Sequence, residues 1–118
     1  MPFDISAVGE QIGQTILDSL KMDGGRVKAM AMAEGEKLSL ALAKIAEMRA
    51  QQQIDDEETA LLVRVQRDAS EVVLASLAEV SRLAASKAVM LGLQVVAGAV
   101  DAASGVPILG PLFTVVTA

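Results

Sequence analysis

Few side chains in this sequence could act as a nucleophile, a general base or a metal ligand. The chain contains no His and no Cys, which excludes imidazole bases, thiolates, disulfides and zinc sites together. A serine nucleophile would need a lysine partner, but Ser86 and Lys87 are neighbours and point to different sides of a helix. The segment Gly24-Gly25-Arg26 lacks both the spacing and the lysine of a phosphate-binding loop.

Carboxylates are plentiful, but their surroundings are strongly charged and favour solvation. The clearest group is the run 55–58, with the sequence Asp-Asp-Glu-Glu. One interpretation is a helix start, because Asp55 and Glu58 have capping-box spacing and acids favour the positive helix N-terminus. The other is a calcium-binding patch, which the absence of a glycine turn and of spaced Asp-x-Asp disfavours. We expect no enzymatic activity, no cofactor, no metal and no small-molecule substrate.

The composition predicts an all-α protein. Of the 118 residues, 53% are hydrophobic but only 2% are aromatic, so the apolar mass is Ala, Leu, Val, Ile and Met. Ala, Leu and Met are strong helix formers, whereas strands usually draw on aromatic and β-branched residues. The net charge of −5 argues against a nucleic acid partner, which needs a cationic surface.

Charge divides the chain into three predicted segments. Residues 1–23 contain an N-terminal amphipathic helix from about Ile5 to Lys21, with Asp4 or Ser6 as its N-terminal cap and Gly24-Gly25 as its C-terminal cap. Its apolar residues recur at spacings of three and four, and they are Ile5, Val8, Ile12, Ile16 and Leu20. Residues 26–87 form a charged amphipathic α-hairpin, and residues 88–118 form an apolar C-terminal segment.

The α-hairpin consists of a helix over 26–53 and a long, coiled-coil-like helix over 59–100. Gly35 weakens the middle of the first by ~1 kcal/mol relative to Ala and marks a bend. Its apolar stripe is Leu38, Ala41, Leu42, Ile45 and Met48. The second contains no proline, and its seam is Leu62, Val65, Ala69, Val73, Leu77, Val80 and Ala84. The two stripes would bury on each other, so we expect the hairpin to fold without residues 88–118.

The apolar segment 88–118 has one charged residue, Asp101, and would form an apolar patch larger than soluble monomers tolerate. One solution is a membrane. However, 88–100 gives only about 20 Å of helix against a hydrocarbon core of about 30 Å, and a longer span would include Asp101. The basic residues precede the segment, so the body would stay cytoplasmic.

The other solution, which we favour, is self-assembly into a homo-oligomer. Gly98 with Ala102, and Ala99 with Ala103, have the small-xxx-small spacing that lets helices approach closely. The predicted interface residues are Leu91, Val95, Gly98, Ala99, Ala102, Val106, Ile108, Leu109, Leu112 and Phe113. Asp101 is interpreted either as an exposed turn residue before Ser104-Gly105, or as a buried acid whose ionisation loosens the assembly.

One part of the sequence resembles the R-body (Reb) proteins. It comprises Ala29-Met30-Ala31-Met32, the helix Ser39 to Ala43, and Ala50-Gln51-Gln52-Gln53. The resemblance implies polymerisation into coiled proteinaceous ribbons that extend on a pH change. The tail segment 105–111, Gly-Val-Pro-Ile-Leu-Gly-Pro, is similar to apolar segments of phage tail tape-measure proteins, which implies a helical part buried in an assembly.

The N-terminus Met1-Pro2-Phe3-Asp4 lacks the basic and apolar regions of a signal peptide. We therefore expect cytoplasmic synthesis, followed by membrane association or by release or export as an assembly. The sequence predicts a non-enzymatic structural protein that self-assembles through helix packing into a homo-oligomer or filament. The alternative is a membrane-inserting helical protein, such as a pore former or small effector, anchored by 88–118.

Overall fold

The computed structural model of the chain describes residues 3–22, 25–105 and 107–110. These residues form four α-helices and no strand, which confirms the all-α prediction. The helices are α1 (Ile5–Leu20), α2 (Gly25–Ala50), α3 (Asp56–Leu77) and α4 (Arg82–Ser104).

Three of the helices begin at a side chain that caps the backbone. Asp4 accepts the N–H of Ala7 at 3.1 Å, and Ser81 accepts the N–H of Ala84 at 3.1 Å. At α3 the Asp55 carboxylate accepts the Glu58 N–H at 2.7 Å, while Glu58 accepts the Asp55 N–H at 3.0 Å. The predicted caps at Asp4 and at the 55–58 run are therefore confirmed.

Three helix ends are made by residues other than glycine in the left-handed region. Lys21, Gln52 and Glu79 have φ of 57°, 60° and 57°. The predicted helix end near Lys21 is confirmed, because α1 ends at Leu20 with Lys21 as its cap. The predicted glycine cap is wrong, since Gly25 begins α2. Left-handed backbone costs roughly 1–2 kcal/mol in residues with a Cβ, so packing on either side of these turns must compensate for it.

The predicted long helix over 59–100 is interrupted. After α3 the Val80 N–H donates to the Ala75 carbonyl at 3.2 Å, with Glu79 in the left-handed position between them. Ser81 then starts α4. The sequence carries no glycine or proline here, so the break comes from tertiary packing that folds α4 back onto the other helices.

α3 packs against α2 and α4, and α1 lies against the same two helices. The predicted apolar face of α1 is confirmed, with Ile12 and Ile16 fully buried. One cluster of buried side chains joins all four helices to Phe3, Ile108 and Leu109. The predicted boundary between 87 and 88 lies inside α4, and the core continues across it.

The inward face of α3 matches the predicted seam only in part, since Leu62 and Val80 pack against the core. Val65 and Leu77 are exposed, whereas Val63, Ser70 and Leu74 are buried. The true face is displaced by about one residue because it includes polar side chains, which an apolar pattern leaves out. For α2 the predicted stripe holds, with Leu38, Leu42 and Ile45 buried and Ala41 and Met48 half-buried.

α1 and α2 cross where three glycines meet. A Cβ on Gly35 would overlap the Gly9 carbonyl oxygen and lie 2.8 Å from the Gly13 nitrogen. Beside the crossing, the Ser39 hydroxyl donates to the Ile5 carbonyl at 2.6 Å. Gly35 therefore permits close helix approach, a role that its interpretation as a bend overlooked. The Gly9-xxx-Gly13 spacing is the sequence signal that could have revealed it.

Candidate assembly surface

The inward face of α4 packs within the chain itself. Ala85, Val89, Val96 and Val100 have no exposed area. Gly92 sits against α1, since a Cβ there would lie 3.1 Å from Ile12 Cγ2 and 3.3 Å from the Ile12 carbonyl oxygen. The inward apolar face of α4 is thereby buried without a second subunit or a membrane.

The outward face of α4 carries five of the predicted interface residues. Leu91 is half-buried, and Val95, Gly98, Ala99 and Ala102 are exposed. Val95 is 57% exposed, and a Cβ added to Gly98 would meet nothing within 4 Å. These five residues, which we call the α4 stripe, are open to a partner.

The other predicted interface residues do not share this surface. Ile108 and Leu109 are 1% and 0% exposed and belong to the core of their own chain. Their assignment to an inter-subunit surface is therefore corrected. The remaining predicted positions, Val106, Leu112 and Phe113, lie outside the described residues.

Asp101 connects the end of α4 to the segment that carries Ile108 and Leu109. Its Oδ1 accepts the N–H groups of Ile108 and Leu109, each at 2.8 Å, and its Oδ2 accepts that of Gly110 at 2.7 Å. The residue is half-buried. Neither interpretation from the sequence included this arrangement, in which the carboxylate folds the following segment back onto the helix and inserts two side chains into the core.

We expect Asp101→Asn to destabilise the fold by about 1–3 kcal/mol, because an amide NH2 group would face a backbone N–H that loses its acceptor. Hydrogen exchange of the 108–110 amides should accelerate, and the urea midpoint should fall. Asp68→Asn is the control, since this exposed carboxylate bonds only to its neighbour Arg67 among the described residues. Unchanged protection of the 108–110 amides in Asp101→Asn would contradict the role given to the carboxylate.

A second exposed apolar stripe runs along α3. Leu61, Val65 and Val72 are 58%, 51% and 48% exposed, and their spacing of four and seven residues places them on one face. We call these three residues the α3 stripe. The sequence interpretation assigned Val65 to the hairpin seam and left Leu61 and Val72 without a role. Their mutual spacing was the signal that could have found them.

Two further tests bear on the kind of site. Within 3–22, 25–105 and 107–110, no group of three acidic side chains could hold a metal ion. Among the same residues, α4 is the one helix long and apolar enough to cross a membrane, although the core helix of a soluble protein meets the same criterion. In α4, 39% of the most apolar 18-residue window is buried inside the chain.

Over residues 3–22, 25–105 and 107–110, the fold and this surface define an all-α protein with an apolar core and two exposed apolar stripes. Comparison with protein-family models, with curated proteins and with solved structures found no match.

Proposed function

We propose that this is a non-enzymatic structural protein that self-assembles through the α4 stripe into a homo-oligomer or filament. The observation that carries the proposal is the outward face of α4, where Val95 and Gly98 are exposed on a helix whose opposite face is already packed. A face of small and β-branched apolar residues gains most from burial against another helix at close range.

The α3 stripe supports a second copy of the chain as the partner. Its large side chains, Leu61, Val65 and Val72, offer ridges for the shallow surface around Gly98 and Ala102 on another copy. Contact between two different surfaces of the same chain is heterologous and extends into an open filament unless the rotation closes it. Ribbon formation, which the resemblance to R-body proteins implies, would be an open assembly of this kind.

The alternative is insertion of α4 into a membrane, and the observation that favours it is the length and apolar character of that helix. Insertion would release α4 from α1, and Ile12 would lose its contact with the helix at Gly92. The alternative therefore requires a large rearrangement, whereas self-assembly uses the surface that is already exposed.

Light scattering of protein purified without detergent tests the proposal. We expect wild type to form high-mass particles and Val95→Glu to form species no larger than a dimer, because extended assembly would bury the new carboxylate. Gly98→Leu should also reduce assembly by blocking close approach. Gln94→Glu is the matched control, since it adds the same charge at the adjacent exposed position.

Two results would contradict self-assembly through this stripe. The first is wild type that stays at subunit mass without detergent at high concentration. The second is Val95→Glu that forms particles like those of wild type. Recovery of wild type only with detergent, together with co-flotation with lipid vesicles, would support the membrane alternative instead.

A further inference from the structure

The buried faces of α3 and α4 keep one helical register across the break between them. Most residues buried in the two helices and at their junction are separated by three, four or seven positions, and these are Val63, Ser70, Leu74, Ala78, Ala85, Val89, Gly92, Val96 and Val100. The other buried residues lie at the edges of the same face, and they are Thr59, Glu71, Ala88 and Leu93. In a single continuous helix all of them would lie on one face. Nothing in an arrangement of two helices joined by a turn requires their buried faces to follow one helical register.

The turn itself contains a residue in an unfavourable conformation. Glu79 has φ of 57°, a region that residues with a Cβ rarely adopt. No glycine or proline occurs from Asp56 to Leu91, so every residue through the turn is compatible with a helix. If the junction became helical, Glu79 would leave its left-handed backbone conformation and α3 would continue directly into α4.

A buried carboxylate on α3 makes a contact that is possible only when α4 is folded back on α3. Glu71 is 4% exposed, and its Oε2 has no hydrogen bond within the described residues. Arg67 Nε lies 3.4 Å from Oε2, and Arg82 Nη2 lies 3.5 Å from Oε1. In a straight helix, residues 71 and 82 would be roughly 16 Å apart along the axis. The contact with Arg82 therefore exists only when α4 is folded back.

A straight α3–α4 helix could not keep α4 on its own α1. It would be about 70 Å long at the rise of an α-helix, whereas the molecule measures 41 × 32 × 19 Å. The apolar face of α4, with Val89 and Val96, would leave Ile12 on α1 and need a new partner. A second copy that opens in the same way exposes the same surface on its own α1.

We propose that the turn at 78–81 is a hinge whose straightening exchanges α4 between two copies of the chain. In the resulting dimer each α4 packs on the α1 of the other copy, through the contacts that it makes within one chain. Domain swapping of this kind forms a dimer at low cost because no new interface is required. The inference is independent of the α4 stripe, which stays exposed in both forms.

Substitution of Glu79 tests the hinge. Glu79→Gly adopts the left-handed conformation freely and weakens a continuous helix. We expect Glu79→Gly to lower the association constant of the dimer by about tenfold for each of its two hinges. Glu79→Ala keeps the unfavourable turn and favours the helix, so its dimer fraction should equal or exceed that of wild type.

Distances between two spin labels on one chain show directly whether α4 has been exchanged between copies. The chain has no cysteine, so spin labels can be placed at Glu57→Cys and Gln94→Cys, both exposed positions. Labelled protein is diluted with unlabelled protein so that only distances between the two labels of one chain are measured. In the monomer this distance should be below about 40 Å, because α3 and α4 fold back on each other. The dimer fraction should give about 55 Å along one straight helix.

The swapped dimer should persist in the Val95→Glu background, where assembly through the α4 stripe is removed. Survival of the dimer there, with the long distance, distinguishes the hinge from stripe-mediated association. Any one of three results would overturn the proposal: no dimer in that background at millimolar concentration, a dimer with only the short distance, or equal dimerisation of wild type and Glu79→Gly.

Discussion

Gly35→Ala is expected to lower the free energy of unfolding by about 3 kcal/mol, at the upper end of the range for overpacked cores. The added Cβ would overlap the Gly9 carbonyl oxygen and approach the Gly13 nitrogen to 2.8 Å. Both are backbone atoms, so no side chain can rotate away and α1 must move as a unit. The loss exceeds the ~1 kcal/mol that alanine contributes to an isolated helix.

The same substitution at Gly98 is the matched control. Gly98 is exposed within α4, and a Cβ there meets nothing within 4 Å. Gly98→Ala should therefore raise the free energy of unfolding by about 0.5–1 kcal/mol through helix propensity alone. Thermal and urea unfolding of the two variants should move in opposite directions from wild type. A Gly35→Ala variant as stable as wild type would show that the α1–α2 crossing is looser than described.

Local patterns in the sequence predicted the helices that depend on local chemistry. Ile12 and Ile16 recur at helical spacing, and the face that they mark is the buried face of α1. Asp4 and Asp55 are residues that satisfy free N–H groups at a helix start, and both do so. Such features require only neighbouring residues, so a single sequence contains all the information.

Features that arise from contacts between helices were not predictable in this way. The turn at Glu79 has no sequence signal, because helix-forming residues continue through it. The inward face of α3 includes buried Ser70 and Glu71, which a search for apolar periodicity excludes. In both cases tertiary packing overrides the local preference, and only the position of α1 and α4 reveals the outcome.

The candidate surface was predicted in part for a similar reason. Small residues at Gly98 and Ala102 were identified as a close-packing site, yet the glycines at the close α1–α2 crossing are Gly9, Gly13 and Gly35. The small-xxx-small pattern is the same in both places. Which pattern faces another helix depends on the helix arrangement, and so does the burial of Ile108 and Leu109 through the Asp101 carboxylate.

Val96→Glu is expected to abolish cooperative folding, whereas Val95→Glu is expected to preserve it. Val96 has no exposed area in the core formed with α1, while Val95 is 57% exposed one residue earlier. An unpaired carboxylate at Val96 would be buried without compensation, at a cost of several kcal/mol or more, which approaches the whole stability of a small domain. Exposed substitutions usually change stability by about 0.5 kcal/mol or less.

Circular dichroism melts and light scattering without detergent, measured on both variants, check this expectation. Val95→Glu should melt like the unassembled wild-type protein and form no particle larger than a dimer, and Val96→Glu should show no cooperative transition. Comparison of the two variants also distinguishes packing of α4 on α1 from insertion of α4 into a membrane. Inside a membrane both positions would face apolar surroundings, so both variants would lose insertion alike. A fold that tolerates Val96→Glu as well as Val95→Glu would contradict the packing of α4 on α1.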